Sequence, residues 1–325
     1  MLAVVVPEQG GPEVLEVHER PSPEPGPGQV RVAVAACGVN FIDIYQRSGV
    51  YPMTTPFIAG SEGAGEVTAI ASDVTDIKVG DHVAWAMVPG GGYATEVLVP
   101  AERTVPVPAE VTDETAAALM LQGLTAHYLC ESTYPVQKGD TVLLHAGAGG
   151  VGLLLTQLIT AKGGTVLATT STPDKADLAR GAGAAEVIAY TETDVVAEVR
   201  RLTDGEGVAV VYDGVGRSTF AASLDSLRPR GMLVLFGASS GAVEPFDPQL
   251  LNQKGSLFLT RPSLPHYIAT REELLSRAAA LFEAVAAGRL DVRVGARYSL
   301  AEAGQAHEDL AARKTTGKSL IIPAV

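Results

Sequence analysis

The chain has 325 residues, 46% of them hydrophobic and 19% charged, which supplies a full core and exceeds one average domain, so about two domains are expected. Lys and Arg number 24 against 37 Asp and Glu, and the net charge of −13 argues against nucleic acid or an anionic membrane as a partner. Two cysteines, Cys37 and Cys130, leave no basis for a disulfide framework or a cysteine-built metal site. The opening MLAVVVPEQGG has neither the basic nor the long apolar region of a secretion signal. The most apolar stretch, residues 142–159, is interrupted by His145, several glycines, Thr156 and Gln157. The expectation is therefore a soluble, cytoplasmic protein without a membrane span.

In chain order, short apolar runs between Gly and Pro punctuation predict strands at residues 2–6, 30–37, 65–69, 82–86 and 93–99. Residues 21–28 form a Pro/Gly-rich connector ahead of the second of these. The first helical period of useful length is residues 112–121, with Asp113 near its start. From residue 141 the pattern alternates. Strands are predicted at 141–145, 165–170, 186–189, 208–212, 232–236 and 257–260, and helices at 151–158, 175–180, 195–202 and 218–227. Such alternation implies right-handed βαβ units on a parallel sheet. The tail, with helices at 271–287 and 300–313 and a strand at 319–322, has no βαβ partner and is expected to return to the first domain.

The strongest chemical signal is His145-Ala-Gly-Ala-Gly-Gly-Val-Gly152, a Gly147-x-Gly149-x-x-Gly152 turn directly after a strand and directly before an apolar-faced helix. Glycines there permit a tight turn and close backbone approach to a pyrophosphate, and the helix start offers free N–H groups. The competing reading is an ordinary Gly-rich strand–helix turn. A binder of NAD places a carboxylate at the tip of the next strand. Here that tip reads Ala168-Thr-Thr-Ser-Thr-Pro-Asp-Lys175, hydroxyls followed by a cation, with Asp174 past the tip at a helix start. Hydroxyls plus Lys175 suit a 2′-phosphate and therefore NADPH; a solvated surface lysine is the plain alternative.

A β-rich segment before the glycine turn and a returning tail after it make the chain resemble, over its whole length, the medium-chain dehydrogenase/reductase superfamily. Cys37–Pro52 (CGVNFIDIYQRSGVYP), Gly60–Gly65 (GSEGAG), Leu121–Thr125 (LQGLT), Val211–Gly216 (VYDGVG), Phe236–Val243 (FGASSGAV) and Leu251–Leu264 (LNQKGSLFLTRPSL) resemble its zinc-free quinone oxidoreductase branch. The fold class this implies is α/β, a Rossmann doubly wound parallel sheet domain plus a β-rich GroES-like catalytic domain. The domains expected are 1–121 (catalytic, first part), 122–263 (nucleotide-binding) and 264–325 (return to the catalytic domain). Zinc-dependent relatives place Cys, His and Cys where this chain has Asn40, Ser61 and approximately Leu121, so no metal is expected. His82, His127 and His145 sit in apolar runs and read as core residues rather than ligands. Gln122, where some relatives carry Lys, and Ser61-Glu62-Gly63, in place of Thr-Glu-Ala, depart from the branch's pattern.

Without a Lewis acid, alcohol oxidation loses its main support, whereas hydride transfer to an electron-poor ring remains feasible. The resemblance implies a homodimeric, metal-free NADPH:quinone oxidoreductase; the alternatives are an NADPH-dependent alkenal/enone double-bond reductase and an NADPH-binding protein without turnover. Asn40, Tyr45 and Tyr51 match the branch's acceptor pocket. Carried over as cofactor contacts are Phe41, Asp43, Thr125, Tyr128, Gly149, Gly150, Val151, Ser171, Lys175, Tyr190, Val215, Phe236, Gly237, Ser239, Thr260 and Arg261.

Overall fold

The computed structural model describes residues 1–323, in two compact units. One comprises Met1–Leu124 together with the chain from Tyr267 onward, and the other is Thr125–His266. The divisions fall at Leu124 and His266, where the sequence suggested Leu121 and Ser263.

The first unit begins with β1 (Leu2–Val6), β2 (Glu16–Glu19), β3 (Gln29–Val39), α1 (Phe41–Arg47), β4 (Phe57–Ile58), β5 (Glu62–Ile70), β6 (His82–Ala86), β7 (Glu96–Pro100), β8 (Val105–Pro106) and α2 (Asp113–Tyr128). β3 is the long central strand, antiparallel to both β5 and β7. Its alternation of buried and half-buried residues from Gln29 to Ala35 turns one face to the core, where Val30, Val32 and Val34 join Val67, Val83, Trp85 and Tyr93. Helix α1 was not foreseen. At seven residues it is too short for a hydrophobic period to register, and its start is set instead by Asn40, whose N–H is held by the Asp43 carboxylate.

The second unit carries β9 (Thr141–Leu144), α3 (Gly150–Ala161), β10 (Thr165–Thr170), α4 (Pro173–Gly181), β11 (Glu186–Ala189), α5 (Val195–Leu202), β12 (Val208–Asp213), α6 (Phe220–Ser226), β13 (Leu227–Leu235), α7 (Gln249–Gln253), β14 (Phe258–Thr260) and α8 (Leu264–Tyr267), the last straddling the division. Among the described residues the strands form one parallel sheet in the order β11-β10-β9-β12-β13-β14. The order reverses between β9 and β12, the position at whose carboxyl edge α/β sheets bind ligands. Every residue of β12 is buried, as expected of a strand covered on both faces. β13 starts at Leu227, earlier than its apolar run suggests, because the ladder with β12 shifts register there and Arg230 adopts φ +61°.

The tail returns to the first unit as α9 (Arg271–Ala286), β15 (Val294–Tyr298), α10 (Ala303–Ala311) and β16 (Lys318–Ile321). β16 pairs antiparallel with β3, Ile321 opposite Cys37 and Ser319 opposite Val39, so the end of the chain completes the sheet that β3 centres. Among the described residues no helix is long and apolar enough to cross a membrane. Among the same residues no group of three or more His, Cys, Asp or Glu side chains is placed to hold a metal ion.

Candidate functional site

In the second unit the glycine turn joins β9 to α3. Ala146 takes φ +57°, a strained value for a residue with a Cβ. A Cβ at Gly152 would lie 2.4 Å from Ala146 O, and one at Gly147 would lie 2.7 Å from Ala168 Cβ, so both positions demand glycine. Gly149 is the N-cap of α3 and has no side chain to cap it. The first-turn N–H groups, those of Gly150 and Val151 among them, therefore have neither an intrahelical acceptor nor a capping oxygen. A bare helix start on a turn closed by glycines fits a dinucleotide pyrophosphate.

The turn rests on a buried polar network. The hydroxyls of Ser223 and Thr219 each donate to Asp213 Oδ2 at 2.7 Å, and Asp213 Oδ1 accepts the N–H groups of Val215 and Gly216 at 2.8 and 2.9 Å. Since the Ser223 proton goes to Asp213, His145 Nε2, 3.0 Å away, must donate to Ser223; His145 Nδ1 then accepts from Thr169 Oγ1 at 3.1 Å. Burial lowers the His145 pKa and keeps the ring neutral, and the Ser223 bond to Asp213 selects this tautomer. Three strand ends, those of β9, β10 and β12, are thereby locked together beneath the turn.

Most of the other predicted cofactor contacts lie after strands of this sheet, whereas Thr125 and Tyr128 lie on α2, and Phe41 and Asp43 on α1 of the first unit, where Asp43 is 2% exposed and faces inward. Ser171 follows β10, and Tyr190, 41% exposed, follows β11, whose Ala189 is paired with Thr170. Lys175 lies in the first turn of α4, its N–H held by the Thr172 cap. Val215 belongs to the loop after β12, and Phe236, Gly237 and Ser239 to the loop after β13. The two loops are zipped by Phe236 N to Asp213 O (2.8 Å), Ser239 N to Gly214 O (3.3 Å) and Ser240 N to Val215 O (2.8 Å). Thr260 ends β14, and Arg261 follows it. Thr125 and Tyr128 lie on the last turn of α2; both are buried, Tyr128 at 2% exposure.

In the first unit, Asn40 occupies the N-cap of α1 and is 4% exposed. Its Oδ1 accepts from Lys318 Nζ at 2.7 Å and its Nδ2 donates to Glu62 Oε1 at 2.6 Å. Lys318 and Glu62 are themselves hydrogen-bonded, with side chains 1% and 0% exposed. Glu62 Oε2 accepts the Leu121 N–H at 2.6 Å. One carboxylate thus ties Asn40 to Leu121, and its chain neighbour Ser61 donates to Asp43 Oδ1 at 3.1 Å.

Asp43 points inward. Its Oδ2 also accepts from Tyr93 OH at 3.1 Å. Arg47, a donor only, faces His307 Nδ1 at 3.5 Å; His307 Nε2 therefore carries the proton toward Tyr93 OH at 3.0 Å. Burial pushes the Asp43 pKa up to about 7, and burial with the neighbouring Arg47 charge pushes His307 down to about 3. Burial likewise raises the Cys37 thiol far above its ordinary range. Tyr45 and Tyr51 point elsewhere than Asp43: their rings meet edge-on with centroids 5.2 Å apart, and Phe41, one turn before Tyr45, stands 6.1 Å from it. Phe41, Tyr45 and Tyr51 form an aromatic row, with Tyr51 42% exposed.

Glu62, Tyr93, His307 and Lys318 received no role from the sequence. Glu62 lay inside a quoted motif. Lys318 was left outside the predicted strand because lysine is almost never fully buried unless paired, and its partner is 256 residues away.

Residues 26–109 match the alcohol dehydrogenase GroES-like domain, and residues 150–279 match the zinc-binding dehydrogenase domain. Over the whole chain the protein is similar to the quinone oxidoreductase of Pseudomonas aeruginosa, 48% identical over 315 residues and 97% of each chain. A mycobacterial protein solved in complex with NADPH is 52% identical, with TM-score 0.96 over 99% of this chain and 100% of that one. The Escherichia coli quinone oxidoreductase, also solved with NADPH, is 44% identical, with TM-score 0.97 over 99% and 100%. The chain belongs to the quinone oxidoreductase branch of the medium-chain dehydrogenase/reductase superfamily.

Proposed function

We propose that this chain is an NADPH-dependent oxidoreductase that reduces quinones by direct hydride transfer without a catalytic metal. The observation that carries the reading is its full-length likeness to a quinone oxidoreductase solved with NADPH, in a chain whose own glycine turn fits a pyrophosphate. When bound, NADPH supplies a hydride from C4 of its nicotinamide, and the quinone that takes it, with a proton from solvent, leaves as hydroquinone.

The residues divide the work. Gly150 and Val151 offer backbone N–H groups to the pyrophosphate, with Gly149, whose N–H closes the turn onto Ala146 O, beside them, and Ser171, Lys175 and Tyr190 surround the 2′-phosphate. Val215, Phe236, Gly237, Ser239, Thr260 and Arg261 line the rest of the cofactor's path, with Thr125 and Tyr128 toward its nicotinamide end. Phe41, Tyr45 and Tyr51 give a planar acceptor an aromatic face, and Asn40 with the two phenols supplies donors for the oxygen that gains charge. Asp43 supports this face from behind, holding Asn40 N and Ser61. The positions of the relatives' catalytic zinc ligands carry Asn40, Ser61 and Leu121, none a thiolate or imidazole, which supports the metal-free reading.

We assign the working form as a cytoplasmic homodimer; the exposed edge strand β14, with Phe258 56% exposed, supports pairing through the sheet edge. Steady-state NADPH consumption with a benzoquinone panel and an α,β-unsaturated ketone panel tests the function. Faster turnover of the quinones is expected. A preference for the ketones would establish the enone reductase instead, and no turnover of either would leave a binding protein.

A further inference from the structure

We propose that Lys318 and Glu62 are positioning residues that aim the Asn40 amide at the acceptor, a charged clamp spanning the positions where zinc-dependent relatives bind their metal. This rests on the acceptor reading given above for Asn40. An ammonium has only donors and an ionised carboxylate only acceptors, so the orientation of the amide is fixed by its neighbours: Oδ1 faces Lys318 and Nδ2 faces Glu62. Lys318 and Glu62 bond each other as well, closing a ring of three groups. That ring uses the amide oxygen and one amide hydrogen. The second hydrogen has only Gly38 O, at 3.4 Å, a long contact. An acceptor oxygen would take this hydrogen in exchange for its long bond to Gly38 O, and its direction is set by the clamp.

Two further observations support a built device. A Cβ at Gly38 would stand 2.0 Å from Glu62 Oε1 and 2.5 Å from Lys318 Cε, so the strand β3 carries glycine where the clamp needs the room. Glu62 Oε2 also binds the Leu121 N–H, so one carboxylate links the start of α1 to α2. Lys318 comes from β16, in the tail that returns to this unit. The tail thereby delivers the one cation that touches Asn40 among the described residues.

The test compares wild type, Lys318→Met and the charge-neutral pair Glu62→Gln/Lys318→Met, measuring NADPH dissociation constant, melting temperature, and kcat and KM for a benzoquinone. Lys318→Met strands a buried carboxylate and is expected to melt lower; the double variant removes both charges and restores the melting temperature. If the clamp aims Asn40, kcat stays down about 100-fold in the double variant while NADPH binds as in wild type. Recovery of kcat together with the melting temperature would overturn the proposal and leave a purely structural pair. Should the single variant fail to fold, the double variant still decides. A wild type that turns benzoquinone over separates that failure from failure of the acceptor reading, which a wild type without turnover would sink by itself.

Discussion

Lys175 stands in the first turn of α4, beside strand tips that offer Ser171 and Tyr190. A single charge-assisted hydrogen bond to a 2′-phosphate is worth about 1.5–3 kcal/mol, about 10- to 150-fold in affinity. Lys175→Ala is therefore expected to weaken NADPH binding by that factor and to leave NADH nearly unchanged in a fluorescence titration; equal loss for both contradicts the 2′-phosphate role. Gly152→Ala tests the turn itself. Its methyl would sit 2.4 Å from Ala146 O, so the variant is expected to lose binding of both NADPH and NADH. Breaking the buried Lys318–Glu62 pair with Lys318→Met is expected to cost about 3–5 kcal/mol of stability by denaturant titration, most of it regained when Glu62→Gln is added. At this scale the glycines were legible because backbone chemistry leaves a spacing in the sequence. Lys318, Tyr93 and His307 were not, because a buried pair is recognised only when both members are brought together, and these partners lie 214 to 278 residues apart.

Helix α1 and the strands beneath it carry the Asp43–Tyr93–His307 chain, which makes an element-level prediction about pH. Unfolded, Asp43 titrates near 3.8 and His307 near 6.5; folded, burial moves them to about 7 and about 3. Asp43 is raised, so its contribution is fully present below 3.8 and lost as pH rises through 7. His307 is depressed, so its contribution is present above 6.5 and lost as pH falls toward 3. Between about pH 4 and 6.5 the folded chain holds one proton on Asp43 and the unfolded chain holds one on His307, so the two cancel and the pair gives no slope. Removing His307 with His307→Gln is expected to expose Asp43: stability then falls with rising pH from about 4 to 7, by up to about 1.4 kcal/mol per unit relative to wild type. Chemical denaturation across that range checks it, and parallel profiles would contradict it. The strand–helix alternation from β9 to β13 was readable because apolar strand runs and helical spacings recur in turn between Gly and Pro punctuation, whereas the five-residue α7 before β14 left no such signal. The short α1, β15 and the register-shifted start of β13 were not, since tertiary pairing rather than local pattern determines them.

For the whole molecule, the strand–helix alternation predicts a parallel sheet, while its order β11-β10-β9-β12-β13-β14 and the pairing of β16 with β3 are set by tertiary contacts. The alternating segment has to lie between two pieces of the β-rich unit. The tail, read in the sequence as two helices and a strand without a βαβ partner, is expected to return to the first unit, and it does so with a second strand, β15, added. β14 at the sheet edge exposes Phe258, and Phe258→Glu is expected to convert a dimer into monomers in sedimentation velocity, whereas an unchanged dimer would place the interface elsewhere. In the proposed reaction hydride passes from NADPH to a quinone with the Asn40 amide, held by Lys318 and Glu62, and the Tyr45 and Tyr51 phenols as donors and with no metal. The most direct test is the rate of NADPH oxidation by benzoquinone before and after exhaustive dialysis against a divalent-ion chelator. An unchanged rate is predicted; loss of turnover that added zinc restores would contradict the account.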